Sequence, residues 1–260
     1  MLALRLHDYG LSLDEIEPPT LRKGEVLVRV HAAAITRGEL EWPTDRLPAI
    51  PSYELSGVNV ETGAEVFALT PFDRNGVAAE YTVVPESVLA PKPPGLSHVE
   101  AAALPMVGLS AWQALFDHGE LKAGERVIVT GASGGVGHLA VQLARYAGAA
   151  IVEAGPCDLV FDTTGHDVPS GDRVITVAAE APGATYFVVE PNRKQLVELA
   201  EAGLRPTIDS TYPLEHAADA FERVASRGKR GKVVIDVAGY RRTASGAQRA
   251  VARRARMEPD

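Results

Sequence analysis

ERVIVTGASGGVGHLAVQLARYAG, residues 125–148, decides how this chain folds. Residues 126–130 form a short β-branched run bounded by turn signals, the pattern of a buried parallel strand. Gly131-Ala132-Ser133-Gly134-Gly135-Val136-Gly137 is a glycine-rich turn, and residues 138–147 read as a helix with apolar Leu139, Val141, Leu143 and Ala144. Strand, turn and helix together make the first half of a dinucleotide-binding βαβ unit. Its glycines let backbone approach a pyrophosphate, and the free N–H groups at the helix N-terminus meet the phosphate charge. The alternative is a tight strand-to-helix turn that binds nothing; the flanking strand and helix argue for the first reading.

Upstream, residues 1–91 are β-rich. Residues 2–6 and 11–16 read as strands, the second ended by Pro18-Pro19, and 25–32 alternate as a strand. A short helical turn is expected over 35–40, and Pro43, Pro48 and Pro51 keep the next segment irregular. Residues 56–60 and 65–69 are strands joined by Glu61-Thr62-Gly63, and 77–84 is another, stopped by Pro85. Short strands punctuated by Gly and Pro predict a small, partly open barrel. Pro91-Lys92-Pro93-Pro94-Gly95 is a composition break; Ser97 and Glu100 then form a capping box for a helix expected to stop near Pro105, with a second helix from about residue 110 to 118.

With 260 residues, 46% hydrophobic and 23% charged, the chain has the composition of a globular protein of one large or two small domains. The net charge of −8 argues against nucleic acid or an anionic membrane as the main partner, leaving a small-molecule substrate. The single cysteine, Cys157, excludes an intramolecular disulfide and a cysteine-based structural zinc site. No apolar run reaches the roughly 18 residues that a membrane span needs. The N-terminus lacks the apolar core of a secretory signal, so a cytoplasmic location is expected.

The stretches GEVLVRVHAAAITRGEL, IPSYELSGV, EYTVVPESVLAPKPPGLS, EAAALPMVGLSAWQALF and GERVIVTGASGGVGHLAVQLARYAGA, in that order, resemble the medium-chain dehydrogenase/reductase superfamily. The likeness is greatest to its zinc-free quinone-oxidoreductase-like and enoyl-reductase-like branch. It resumes in LVFDTTG, GDRVITVA, ATYFVVEPNRKQLVELAEAG and PTIDSTYPLEHAADAFERVASRGKRGKVVIDV. The resemblance implies an α/β chain: a GroES-like β-barrel domain over 1–95, completed by about 204–238, and a Rossmann-type domain over 96–203; residues 239–260, rich in arginine and alanine, read as a basic tail. It also implies NADP(H) or NAD(H) in the cleft between the domains, and reduction of a conjugated carbonyl, enoyl or quinone-type molecule. Zinc-dependent relatives carry Gly-His-Glu where this chain reads Ser52-Tyr53-Glu54, so no metal is expected.

The resemblance breaks after Gly148. A full dinucleotide-binding sheet continues with further strands and helices that hold the adenosine half. Here residues 149–158 lead at once to Leu159-Val160-Phe161-Asp162-Thr163-Thr164-Gly165, and residues 166–170 lead straight to a strand at 173–178. The parallel sheet is therefore shortened and lacks the usual second-to-third strand region. Parallel neighbours need a crossover of about a dozen residues, so residues 155–158 are expected to be too few to join a strand at 150–154 to one at 159–162 in parallel. The first is then lost or re-routed, or the two form one bent strand or a hairpin, and the sheet loses an edge. An exposed edge covered by a second copy would give a homodimer.

Among single residues, the resemblance puts Thr36-Arg37-Gly38-Glu39 in the active-site cleft, with Thr36 replacing an asparagine of some relatives. Arg37 either binds an anionic group or stabilises an enolate, or else forms a surface salt bridge. Tyr53 stands where a zinc ligand would be and either donates a proton or packs as a satisfied tyrosine. Ser110 stands where relatives use threonine near the cofactor, or caps a helix. Thr163 and Thr164 end a parallel strand at its carboxyl edge, where ligands sit. Glu153 lies 22 residues after Gly131, at the distance of an acid that binds an adenosine ribose; it would favour NAD(H), unless it is a solvated loop residue. A second reading of the whole chain is a scaffold that has lost nucleotide binding and catalyses a cyclisation, dehydration or isomerisation, or only binds a small molecule.

Overall fold

The computed structural model describes residues 1–239, so the predicted basic tail lies, but for Gly239, outside the described residues. In chain order the elements begin with the strands Leu2–His7 (β1), Gly10–Glu15 (β2), Glu25–Ile35 (β3), Glu54–Asn59 (β4), Glu65–Leu69 (β5), Tyr81–Pro85 (β6) and Ala90–Pro91 (β7). Two helices follow, His98–Ala102 (α1) and Pro105–Trp112 (α2), the latter continued by a wide turn over Gln113–His118. Next come Arg126–Val129 (β8), Gly137–Tyr146 (α3), Ala150–Ile151 (β9), Leu159–Asp162 (β10), Arg173–Thr176 (β11) and Thr185–Tyr186 (β12). The remainder is Arg193–Glu201 (α4), Ile208–Pro213 (β13), Ala217–Ala225 (α5) and Lys232–Asp236 (β14).

The first sheet has the order β13-β14-β3-β4-β5-β7, with β6 also paired to β3. β3 is long enough to serve three neighbours, and a register shift between Val30 and Ala32 bends it. The C-terminal strand β14 lies antiparallel to β3, which brings Lys232–Asp236 back beside residues contributed two hundred positions earlier. The second sheet is parallel throughout, in the order β12-β11-β10-β8-β9.

Two large cores and two smaller ones hold these sheets, and β5 belongs to both large ones. Its alternation sends Val66 and Ala68 into the core of the first sheet and Phe67 and Leu69 into the core beneath α2, α3 and α4. The parallel strands divide in the same way. Val127, Val129, Leu159 and Phe161 face the helices, while Ile128 and Val160 face the other side and are covered by Cys157, Val152 and Val174. Helices thus cover one face of the parallel sheet, and irregular chain covers the other.

The capping box forms as predicted: Ser97 Oγ accepts from the Glu100 backbone N–H, and the Glu100 carboxylate accepts from that of Ser97. The first helix stops before Pro105 as expected, at Ala102, but the expected start of the second near residue 110 is corrected. Pro105 opens α2, because at the first helical position its missing N–H is not needed and its φ already suits a helix. The strand expected from residue 77 starts only at Tyr81, and the helical turn near residue 35 forms at Glu39–Glu41, since β3 runs on to Ile35.

The lost-edge expectation is also corrected. β9 persists as a two-residue strand parallel to β8, and β10 lies parallel on the other side of β8. Residues 152–158 join them with no helix. The chain leaves β9 through the Val152 N–H bonded to Val127 O and returns through the Asp158 N–H bonded to Arg126 O. So short a link suffices because β9 is cut to two residues and the crossing segment lies directly on the sheet, with Cys157 buried against Ile128 and Val160.

Candidate functional site

The glycine turn is built by close approach. Gly131 has φ 65°, and a Cβ there would lie 2.5 Å from Thr163 Oγ1. A Cβ on Gly137 would lie 2.2 Å from the Gly131 carbonyl oxygen, so this turn cannot form with side chains at either end. Gly135 differs: a Cβ there would meet Val107, Lys232 and Gly231 only at ordinary van der Waals distances of 3.5–3.7 Å. The turn therefore faces the start of β14 and α2.

His138, the second residue of α3, ties this turn to β14. Its Nε2 accepts from the Thr207 N–H at 2.9 Å, so Nδ1 carries the proton and donates to Gly134 O at 2.8 Å. Thr207 O in turn accepts from the Lys232 N–H at 2.8 Å.

Beneath the turn lies a buried polar cluster. Lys232 and Glu54 are 3% and 0% exposed and pair through Nζ and Oε1. Thr36 Oγ1 accepts from Lys232 Nζ at 3.1 Å and donates to Glu54 Oε1 at 3.2 Å, while Glu54 Oε2 accepts the Met106 N–H of α2 at 2.9 Å. Glu39 joins from the loop after β3, accepting the Thr36 and Ser52 N–H groups on separate oxygens, each at 2.9 Å. Burial pushes the Glu39 carboxyl up to about 8, against the pull of those N–H groups and of Lys232.

Beside this cluster stands an aromatic wall. Tyr53 stacks with Trp42 at 5.7 Å between ring centroids and meets Phe72 edge-on at 5.3 Å, and Trp42 meets Phe72 edge-on at 5.4 Å. Burial raises the Tyr53 phenol above its ordinary value, opposed by the neighbouring Arg46 guanidinium, so the hydroxyl keeps its proton at neutral pH. All three rings pack against the same core as Val107 of α2 and Val136 of the turn.

The structure thus brings Thr36, Tyr53 and the turn of Gly131, Ala132, Ser133, Gly134, Gly135, Val136 and Gly137 into one region, and it separates the rest. Arg37 is exposed and donates to Ala225 O at 3.0 Å at the end of α5, so it is neither in a salt bridge nor turned into the cleft. Ser110 is buried inside α2 and caps nothing, because α2 already begins at Pro105. Thr163 and Thr164 sit beside Gly131, but their hydroxyls are engaged locally: Thr163 Oγ1 donates to Thr130 O and Thr164 Oγ1 to Asp162. Burial alone would raise Asp162, yet hydrogen bonds from Thr130, Thr164, Thr176 and Gly165 outweigh it and hold its carboxyl below the usual range. Glu153 is exposed, two residues beyond β9.

Sequence reasoning missed Lys232, and it put Glu39 in the cleft segment without giving it a role of its own. Lys232 opens an apolar strand directly after Gly231, and a lysine at such a position is the one available signal. Among the described residues no group of three or more His, Cys, Asp or Glu is arranged to hold a metal ion, and Tyr53 offers no ligand of the usual kind. The residues do not fit a zinc ion.

The family described as zinc-binding dehydrogenase matches residues 173–235. A probable zinc-binding oxidoreductase of Arthroderma benhamiae is 32% identical, over 84% of this chain and 90% of that protein. That alignment runs to 298 positions, so the relative carries many residues that this chain lacks. A 2-methylene-furan-3-one reductase of Solanum lycopersicum is 29% identical, over 90% of this chain and 79% of that protein. The quinone oxidoreductase of Thermus thermophilus, solved also in complex with NADPH, superposes with a TM-score of 0.78 at 27% identity, over 91% of this chain and 100% of that one. Other relatives include chloroplastic and mitochondrial proteins, and no helix among the described residues is long and apolar enough to cross a membrane. With the parallel sheet, the glycine turn and the returning strand β14 in place, the chain belongs to the medium-chain dehydrogenase/reductase superfamily, with relatives of the quinone-oxidoreductase type.

Proposed function

We propose that this chain is a nicotinamide-dependent reductase of a small, flat, conjugated carbonyl or quinone. The observation that carries the reading is the seat of the glycine turn. Gly135 rests over Lys232 and Val107, so the glycine turn lies next to the Thr36–Glu54–Lys232 cluster, with the Trp42–Tyr53–Phe72 wall in the same core as Val107 and Val136. Relatives named for quinone and enone reduction, one of them solved with NADPH, support it.

A reduced nicotinamide, when bound, supplies the hydride. The chain's own residues do the rest. The turn and the N-terminus of α3 present backbone N–H groups to a phosphate. The aromatic wall offers flat apolar surface on which a conjugated ring or enone stacks with its water displaced. Tyr53 keeps its proton and donates a hydrogen bond to the substrate oxygen as negative charge develops there. Glu54, satisfied by Lys232, Thr36 and Met106, holds the floor rigid.

The test is oxidation of NADPH and of NADH, followed by absorbance, with a 2-alkenal and with a para-quinone. Turnover of at least one pair is expected, and Tyr53→Phe should lower kcat by about a hundredfold to a thousandfold, the loss of one oxyanion donor. No turnover of either class with saturating cofactor would overturn the reading.

A further inference from the structure

We infer that a nicotinamide cofactor is held here by its nicotinamide mononucleotide half alone, so that reduced nicotinamide mononucleotide binds about as well as NADPH. The inference rests on the reductase reading above and names the form of cofactor that the site takes.

A dinucleotide-binding sheet consists of two mononucleotide-binding halves flanking the point where strand order reverses, and the half that starts with the glycine turn holds the adenosine. In this chain the reversal lies between β8 and β10. The helix following β8 covers one face of the sheet, while Ser170 and Gly171, following β10, pack on the other against Cys157 and Val160. The half beyond β10 keeps β10, β11 and β12, all parallel. The half beyond β8 keeps only β9, two residues long and at the sheet's edge. No third strand follows it, and residues 152–158 return to β10 with no helix.

The crossing segment occupies the bare face itself. Cys157 is buried on Ile128 and Val160, and a Cβ on Gly171 would lie 2.9 Å from Val160 Cγ2 and 3.1 Å from Cys157 Sγ. Chain is therefore packed directly on the sheet, with no room for a helix there. Glu153, at the spacing of a ribose-binding acid, is exposed, and β9 ends before it. The glycine turn that fits a pyrophosphate and the strands β10–β12 of the other half are present, and the elements that would seat an adenosine are replaced by a short crossing loop. The length of the Arthroderma benhamiae alignment agrees with a lost segment.

Calorimetric titration of the full chain with NADPH, NADH, reduced nicotinamide mononucleotide and 2′,5′-ADP tests this. The three reduced nucleotides should bind within about tenfold of one another, about 1.4 kcal/mol. 2′,5′-ADP should fail to bind, and Glu153→Ala should leave the NADH and NADPH constants within about twofold of wild type. NADPH binding more than about a hundredfold tighter than the mononucleotide, or 2′,5′-ADP competing with NADPH, overturns the inference and leaves the reductase reading standing. Binding of none of the reduced nucleotides overturns both.

Discussion

Lys232 is a cation almost wholly withdrawn from water, and it is tolerable only because its ammonium meets Glu54 and Thr36. Removing one partner of such a pair leaves the other charge buried and uncompensated, at about 3–5 kcal/mol. Urea denaturation of Lys232→Met should show a loss of that size. Glu54→Gln added to it should recover at least about 1 kcal/mol, because the amide oxygen still accepts from Thr36 or Met106 while the stranded charge is gone. A double variant no more stable than Lys232→Met alone would show that packing, not charge, holds this floor. His138 acts at the same scale by a different route: with both ring nitrogens engaged it is a spacer between Gly134 and Thr207.

Among the elements, the turn between β8 and α3 separates two uses of glycine. Gly137 is required by the fold itself, since a methyl group there would overlap the Gly131 carbonyl. Gly137→Ala should cost about 1–3 kcal/mol of stability, the usual penalty of overpacking. Gly135 has room for a Cβ. Gly135→Ala should leave thermal denaturation within about 0.5 kcal/mol of wild type and weaken NADPH binding, because its small size serves the ligand and not the turn. Equal destabilisation by the two changes would place the whole turn under structural constraint. At this scale the elements α1 and β8 were readable directly, from the Ser97–Glu100 capping box and the β-branched run. The start of α2 was not: Pro105 carries the same signal whether it ends one helix or begins the next, and only the turn at 103–104 decides which.

Over the whole molecule the half-buried His31 and the buried Glu39 set opposite pH trends. Burial pushes His31 down to about 4, aided by His98 and Arg29, so the unfolded chain holds the extra proton between that value and the ordinary 6.5, and stability rises with pH across that window. Glu39 is raised, so the folded chain holds the extra proton between the ordinary 4.5 and about 8, and stability falls with pH there. The two oppose each other between pH 4.5 and 6.5, and the contribution of Glu39 continues from there to about 8. Guanidinium midpoints should therefore decline between pH 6.5 and 8.5, and the decline should be absent in Glu39→Gln. A decline that persists in this variant would assign it to another group.

What the sequence determined by itself was local or periodic: the glycine turn with its strand and helix, the alternation of β3, the capping box, the missing crossover after Gly148 and the absence of a histidine at Tyr53. Each is written in neighbouring residues, because strand period, helix capping and turn chemistry act over a few positions. The tertiary structure alone decided what is non-local. It turned Arg37 away to the end of α5, placed β9 and β10 on opposite sides of β8, and set Lys232 under a turn nearly a hundred residues earlier in the chain. Burial of a charge depends on what the rest of the chain packs around it, and no spacing along the sequence records that.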